Sequence, residues 1–315
     1  MERDESTRRL EAAQEALLAR FAPETRVRRV AWSQGKTQVL ELGDGPPLLL
    51  VHGGGDAAFE WAPILAPLAR THRALAVDRP GHGLADPFDY AGVDLLDHAR
   101  TFLREVLDAL ELERAAIVAN SMGGLWAVTF ALDAPDRVSR LALVGAPPGV
   151  NRAVPLPLRL FGLPLVGRPL LRRLVSDPTP ESSRRFWGKL LVAHPERLDD
   201  TLLATDVAHM RRNAESVVGL MSRVATLGGL RRHLILGDRW QALGVPTLAL
   251  LGERDAFLDP GTWQAWEAIA ARNPAIRVAR VPDAGHLPWI DEPERVVGEL
   301  EHFLATPPIE QRRTA

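Results

Sequence analysis

Ser121 lies in the stretch VANSMGGLW, after the strand-like run AAIVAN and before MGGLWAVTFALDAP, which has helical periodicity. A serine on such a strand-to-helix turn exposes its hydroxyl above the sheet edge, where the next backbone N–H groups also point. That hydroxyl can act as a nucleophile only if a base lies within hydrogen-bonding reach, since serine alone is unreactive near neutral pH. The same residue can also simply cap the helix. Ala119, Gly123 and Gly124 are small, which suits a turn where strand and helix approach closely. Other apolar runs also end in residues capable of chemistry: His52-Gly53-Gly54-Gly55 after PPLLLV, Asp255 in LLGERDAFLDP, and His286 in VPDAGHLPWIDEP.

The elements that must position these residues follow from pattern. TRVRRVAW and KTQVLELG predict a hairpin, and PPLLLVH (46–52) is a short continuous apolar run of the kind buried on both faces. RALAVD (73–78), AAIVAN (115–120), VSRLALVG (138–145), PTLALLG (246–252) and IRVARVP (276–282) repeat that pattern. Most are separated by helical periodicity such as LLDHARTFLREVLDAL and TWQAWEAIAARN, so the fold class is α/β, with a mostly parallel, doubly wound sheet covered on both sides. In such sheets ligands bind beyond the carboxyl ends of the strands, where the candidate residues lie. Residues 4–21 predict an amphipathic helix with Leu10, Leu17, Leu18 and Phe21 on one side. Between 147 and 238 the alternation stops and proline-punctuated helical stretches replace it. The expected organisation is therefore a core of 1–146 and 239–315, interrupted by an all-helical insertion over 147–238.

On these residues the sequence resembles the α/β-hydrolase family. A-N-S-M-G-G is similar to its G-x-S-x-G pattern with Ala119 in the first position, and H-G-G-G resembles its oxyanion loop. Gly252 and Asp255 match its G-x-x-D pattern, and Gly285-His286 resembles its histidine loop. The resemblance implies that Ser121 is the nucleophile and His286 the general base, the chain order Ser, Asp, His being the family's. It implies Asp255 as the residue that orients the imidazole, with Asp259 a competitor and Glu253 a weaker one. Gly54 or its neighbour Gly55, together with Met122, would stabilise the oxyanion. Asp78, Gly81 and Gly83 of DRPGHGLADP would shape a turn, while His52, His82 and Asp283 read as structural. The insertion corresponds to the family's cap. Asn120, Phe161, Trp187 and Leu287 are candidate substrate contacts. Phe161, Phe186, Trp187, Met210 and Met221 could line an acyl or aromatic pocket, although apolar residues at helical spacing more often pack a core.

The reading that results is a cofactor-free serine hydrolase that cleaves carboxylic esters of small or medium acyl chains through an acyl-enzyme. N-S-M-G-G with H-G-G-G also looks like the subfamily of carbon–carbon bond hydrolases acting on ring-cleavage products. Leu287 stands where that subfamily usually has tryptophan, and G-G-D-A where it has G-G-P-G. A non-catalytic small-molecule receptor on the same fold is the rival from another class.

Composition narrows the rest. A formal charge of -2 with 46% hydrophobic and 25% charged residues calls for no nucleic acid partner. Residues 150–240 hold fifteen Arg or Lys against eight Asp or Glu, which reads as a solvated helical face, with a cationic mouth for anionic substrates as the sharper alternative. The absence of cysteine removes disulfides, thiolate nucleophiles and cysteine-held metals. No H-E-x-x-H, G-x-x-x-x-G-K-[ST] or strand-linked G-x-G-x-x-G occurs, so neither a metal nor a nucleotide cofactor is implied. The charged amino terminus lacks the apolar core of a secretory signal, and PLPLRLFGLPLVGRPLLRRL is broken by proline and arginine before it could span a bilayer. A cytoplasmic location is expected; monomer and homo-oligomer are both compatible with the sequence.

Overall fold

Strand residues alternate between two apolar layers, and that alternation builds the molecule. The computed structural model describes residues 4–159, 163, 167–175 and 177–306. β1 (Arg26–Trp32) and β2 (Gly35–Leu42) form the expected antiparallel hairpin, with Trp32 opposite Gly35. β3 (Pro47–Val51), β4 (Arg73–Val77), β5 (Ala115–Ala119) and β6 (Val138–Val144) follow. β7 (Ala225–Thr226) and β8 (Gly229–Leu230) pair only with each other. β9 (Thr247–Gly252) and β10 (Ile276–Val281) complete an eight-stranded sheet of order β1-β2-β4-β3-β5-β6-β9-β10. β2 meets β4 antiparallel, and every pairing from β4 onward is parallel.

Leu49, Val51, Ile117, Ala119, Leu141 and Leu143 point into one layer, packed with α3 (Leu95–Ala109) and α4 (Ser121–Asp133). Leu48, Leu50, Ala116, Val118, Ala142 and Val144 point into the other, with α1 (Glu5–Phe21), α2 (Ala62–Ala69) and α11 (Pro293–Ala305). Burying each such leucine or valine contributes roughly 1.5 to 3 kcal/mol, so a strand buried on both faces admits few polar residues. α1 buries Leu10, Leu17 and Leu18, with Phe21 packed at the edge, and lies along α8 (Asp200–Val224). Asp4 caps α1 by accepting the Thr7 N–H.

The long excursion between β6 and β9 carries α5 (Leu156–Arg159), α6 (Gly167–Val175), α7 (Pro180–Leu190) and α8. It is not wholly helical. α8 ends at Val224 and the chain doubles back through β7 and β8, with Gly229 at φ +96° and Leu230 donating to the Arg152 carbonyl at 3.1 Å. Two-residue strands are too short to leave an alternating pattern in sequence. α9 (Pro260–Arg272) and the single-turn α10 (Pro288–Asp291) follow β9 and β10. No described helix is long and apolar enough to cross a membrane.

Candidate active site

β5 ends at Ala119 and α4 begins at Ser121, whose φ of +47° lies in the left-handed region. A non-glycine residue held there stores roughly 1 to 3 kcal/mol of strain, which surrounding contacts must offset. Here the Asn120 N–H donates to the Val51 carbonyl at 3.0 Å, and the Gly124 N–H donates to the Asn120 carbonyl at 3.1 Å. A Cβ on Gly123 would lie 2.4 Å from the His52 carbonyl oxygen, so only glycine lets the first turn of α4 press against the end of β3. Ser121 is not a side-chain cap: Asn120 occupies the cap position, and neither residue caps with its side chain. Ser121 is partly exposed amid buried neighbours.

The loop after β9 brings Asp255 to the loop after β10. Asp255 Oδ2 accepts from His286 Nδ1 at 2.9 Å and from the Ala146 N–H at 3.0 Å, while its Oδ1 accepts from the Phe257 N–H at 2.8 Å. Its side chain is 0% exposed and that of His286 2%, so the pair is shielded from water. With Nδ1 committed as a donor to the carboxylate, the lone pair of His286 is on Nε2, which is buried and has no hydrogen-bond partner among the described residues. Phe257 stacks on the imidazole at 4.1 Å between centroids. The competing acids are occupied elsewhere: Asp259 caps α9 through Thr262, Glu253 is exposed, and Asp283 pairs with Arg254 and His194 on the surface.

The glycine-rich loop runs beneath Ser121. The Gly53 N–H donates to Glu60 Oε1 at 3.3 Å, whereas Gly54 and Gly55 line the cavity. A Cβ on Gly54 would stand 3.8 Å from Met122 Cβ, so Gly54 and Met122 are close neighbours there. Asp78 shapes the nearby D-R-P-G-H-G turn by accepting the Ala58 and Leu84 N–H groups, each at 2.8 Å. Burial in an apolar surrounding raises the Asp56 carboxyl above its usual range and the Glu60 carboxyl well above it. Asp206, on α8, accepts from the Ser183 hydroxyl and is pushed by burial to about 7. Sequence patterns gave no signal for Asp206, because an acid on a helix normally faces solvent.

Ser121, His286, Gly54, Gly55, Met122 and Asn120 line one cavity of about 330 Å³. That lies near the lower end of the ~300 to 1,000 Å³ common for small-molecule sites. Trp187 and Phe186 from α7 and Met210 and Met221 from α8 form part of its wall, rather than only packing a core. Leu287 does not reach it: its side chain is fully buried in the apolar cluster with Trp289 and Leu300. Phe161 lies outside the described residues. Among the described lining residues there is no Arg or Lys, and Asp56 and Asp206 are the acids. Several arginines of 150–240 are engaged instead with surface carboxylates or carbonyls, as in Arg184–Asp200, Arg172–Glu215 and Arg159 with Val154. No cluster of three or more metal-ligating side chains occurs among the described residues.

Residues 46–293 match the family described as alpha/beta hydrolase fold. An uncharacterized protein of Mycobacterium tuberculosis is 30% identical over 275 residues, covering 84% of this chain and 76% of that protein. A 2-hydroxy-6-oxononadienedioate/2-hydroxy-6-oxononatrienedioate hydrolase of Cupriavidus pinatubonensis is 32% identical over 215 residues, covering 67% of this chain and 71% of the relative. The crystal structure of carboxylesterase CesB (YbfK) from Bacillus subtilis superposes with a TM-score of 0.77 at 25% identity, covering 96% of this chain and 99% of that one.

Proposed function

The chain belongs to the alpha/beta hydrolase fold family, and we propose that it is a serine hydrolase cleaving carboxylic esters of small or medium acyl chains through an acyl-enzyme. The observation that carries this reading is the shielded Asp255–His286 pair, which leaves an unpartnered Nε2 on the wall of the cavity into which the strained Ser121 turn projects.

Ser121 Oγ attacks the ester carbonyl carbon while His286 Nε2 takes its proton, and Asp255 stabilises the imidazolium that forms. The carbonyl oxygen becomes an anion met by backbone N–H groups of the Gly54–Gly55 loop and of Met122; one such donor is typically worth ~3 to 4 kcal/mol in the transition state. Collapse expels the alcohol, protonated by His286, and leaves Ser121 acylated. His286 then deprotonates a water molecule that attacks the acyl carbon, the acid departs, and Ser121 regains its proton. Within this reading, residues 147–238 act as the cap that closes the cavity with α7 and α8.

Similarity to the dienedioate hydrolase keeps carbon–carbon cleavage as a second reading. The cavity favours the ester. A dioate brings two carboxylates, and burying them without a cation is costly, yet Asp56 and Asp206 stand in the wall where such a substrate would need Arg or Lys. Steady-state rates on a graded panel of nitrophenyl esters, beside a vinylogous diketo acid followed by loss of its chromophore, separate the two. Ester turnover abolished in Ser121→Ala supports the reading; wild-type ester rates in that variant, or turnover of the diketo acid alone, would overturn it. Failure of a fluorophosphonate to label Ser121 would revive the non-catalytic receptor.

A further inference from the structure

Three consecutive carbonyls of the glycine-rich loop each face buried side chains. The Gly53 carbonyl accepts from Arg79 Nη2, and from His52 Nδ1 at 2.9 Å. The Gly54 carbonyl faces His82 Nε2 at 3.1 Å, and the Gly55 carbonyl faces His209 Nε2 at 3.0 Å.

For His52 and His209 the second partner of the ring settles where its proton is. His52 Nε2 accepts from the Arg79 backbone N–H at 2.8 Å, which puts the His52 proton on Nδ1, against Gly53. His209 Nδ1 accepts from the Gly83 N–H at 3.2 Å and from Asn213 Nδ2 at 3.0 Å, so Nε2 carries the proton toward Gly55. His82 lies between two carbonyl oxygens, with Nδ1 2.9 Å from that of Pro80, which also accepts from the Tyr90 hydroxyl at 2.8 Å, and Nε2 3.1 Å from that of Gly54, so the neutral ring donates to one of the two. Burial beside the Arg79 guanidinium keeps the three rings neutral, His52 and His82 well below the ordinary range and His209 at about 4.

A trans peptide sets its C=O and N–H antiparallel, and no cis peptide bond occurs among the described residues. Drawing the oxygens of Gly53, Gly54 and Gly55 down toward this buried cluster turns the N–H groups of Gly54, Gly55 and Asp56 the opposite way. Those three residues line the cavity. We propose that Arg79 and His52, which hold the Gly53 carbonyl and so set the Gly54 N–H, and His209, which anchors the adjoining Gly55–Asp56 peptide, are positioning residues that fix the oxyanion-binding amides of the Gly54–Gly55 loop. The inference rests on the hydrolase reading above, since it gives those amides their task. It also assigns the insertion a part in the chemistry: His209 belongs to α8, so the helix that walls the cavity also holds the loop under the reacting carbonyl. A carbonyl that accepts a hydrogen bond makes its own peptide N–H a stronger donor, and the Arg79 charge on Gly53 acts in that sense on Gly54.

The test compares wild type, His209→Ala, His209→Gln and Ser121→Ala in nitrophenyl butyrate hydrolysis and in inhibition by a trifluoromethyl ketone, whose adduct with serine carries an oxyanion. Misplacing oxyanion donors lowers kcat on the order of ten- to a hundred-fold in His209→Ala, while KM stays within about twofold. The inhibition constant rises by the factor that kcat/KM loses, and His209→Gln, which keeps a side-chain N–H donor, recovers most of both. Thermal melts establish that the variants fold; if the alanine variant does not, His209→Asn, whose amide is too short to reach the Gly55 carbonyl, takes its place. A folded variant with unchanged kcat, a loss confined to KM, or an unchanged inhibition constant overturns the positioning role. Ester hydrolysis surviving in Ser121→Ala removes the hydrolase reading itself; its loss there with no effect at His209 removes the positioning role alone.

Discussion

Asn120 Nδ2 donates to the carbonyl oxygen of His286 at 3.1 Å and to that of Val144 at 2.7 Å. The residue immediately before Ser121 thus carries the backbone of the loop that delivers His286, and ties the Ser121 turn to the His286 loop. Gly145 completes the join: at φ +78°, its missing Cβ would stand 2.1 Å from the His286 carbonyl oxygen. Asn120 is fully buried and its Nδ2 ties the two loops together, while its Oδ1 has no hydrogen-bond partner among the described residues.

Replacing Asn120 by alanine leaves two buried carbonyls without their donor. Each such loss costs about 1 to 3 kcal/mol, so a fall in stability of a few kcal/mol is expected in denaturant titration. Because the His286 loop loses its anchor, kcat should fall more than tenfold with KM little changed if His286 is the proposed base. A stable variant with wild-type kcat would show that the His286 loop is held by other contacts.

Asp255→Asn has no orientation that satisfies its surroundings. Oδ2 accepts from both His286 Nδ1 and the Ala146 N–H, and Oδ1 accepts from the Phe257 N–H, so an amide N–H must oppose a donor in either flip. The imidazole is then driven to the wrong tautomer, and kcat should drop by roughly 10³- to 10⁴-fold. Steady-state kinetics beside Asp259→Asn provide the contrast, since Asp259 only caps α9 and its loss should leave kcat near wild type.

Much of this was legible in the sequence. Strands buried on both faces leave continuous apolar runs, and the candidate residues are sought at their carboxyl ends because such folds place ligands there. Asp255 could be preferred over Asp259 only by resemblance; the structure separates them by what each accepts. The wall of the cavity was harder to read, because whether Trp187 or Met221 faces a void or a neighbour depends on how α7 and α8 pack, and helical spacing is the same in both cases. Leu287 was misplaced for a related reason: adjacency to His286 in sequence says nothing about which side of the loop a side chain takes. The histidine cluster under the glycine loop was illegible, since His209 meets Gly55 from 154 residues away.

His98, which does not line the cavity, makes stability depend on pH. It is buried against Trp32, Phe88, Tyr90 and Trp126, its Nε2 has no partner among the described residues, and burial pulls it to about 4. The unfolded chain takes up this proton near pH 6.5, while the folded one resists until about 4. Stability is therefore lost as pH falls through that interval, by up to about 2 kcal/mol at pH 5 from this residue. In His98→Phe the drop in Tm between pH 7 and pH 5 should shrink, with kcat unchanged; an equal drop in both proteins would mean that the penalty lies with the other buried histidines.

Asp206 works in the opposite sense and bears on substrate choice. Burial holds its folded-state value near 7 against an ordinary 3.8, with Asp56 close enough to raise it further. For an acid raised in this way the penalty is absent below about pH 4 and complete above about pH 7, because only the unfolded chain releases the proton freely in between. Asp206→Asn should therefore raise Tm at pH 8 and show little gain at pH 4, where the wild-type carboxyl is already neutral. The same carboxylate should repel a negatively charged acyl group within the cavity. Between an effective dielectric of about 80 and one of about 20, such a contact at ~4 Å costs roughly 1 to 4 kcal/mol, which converts to at least about fivefold in rate. At pH 8 the ratio of kcat/KM for a nitrophenyl hemisuccinate to that for nitrophenyl butyrate should rise at least about fivefold in Asp206→Asn. An unchanged ratio would place the acyl group away from α8 and remove Asp206 from the determinants of charge selectivity.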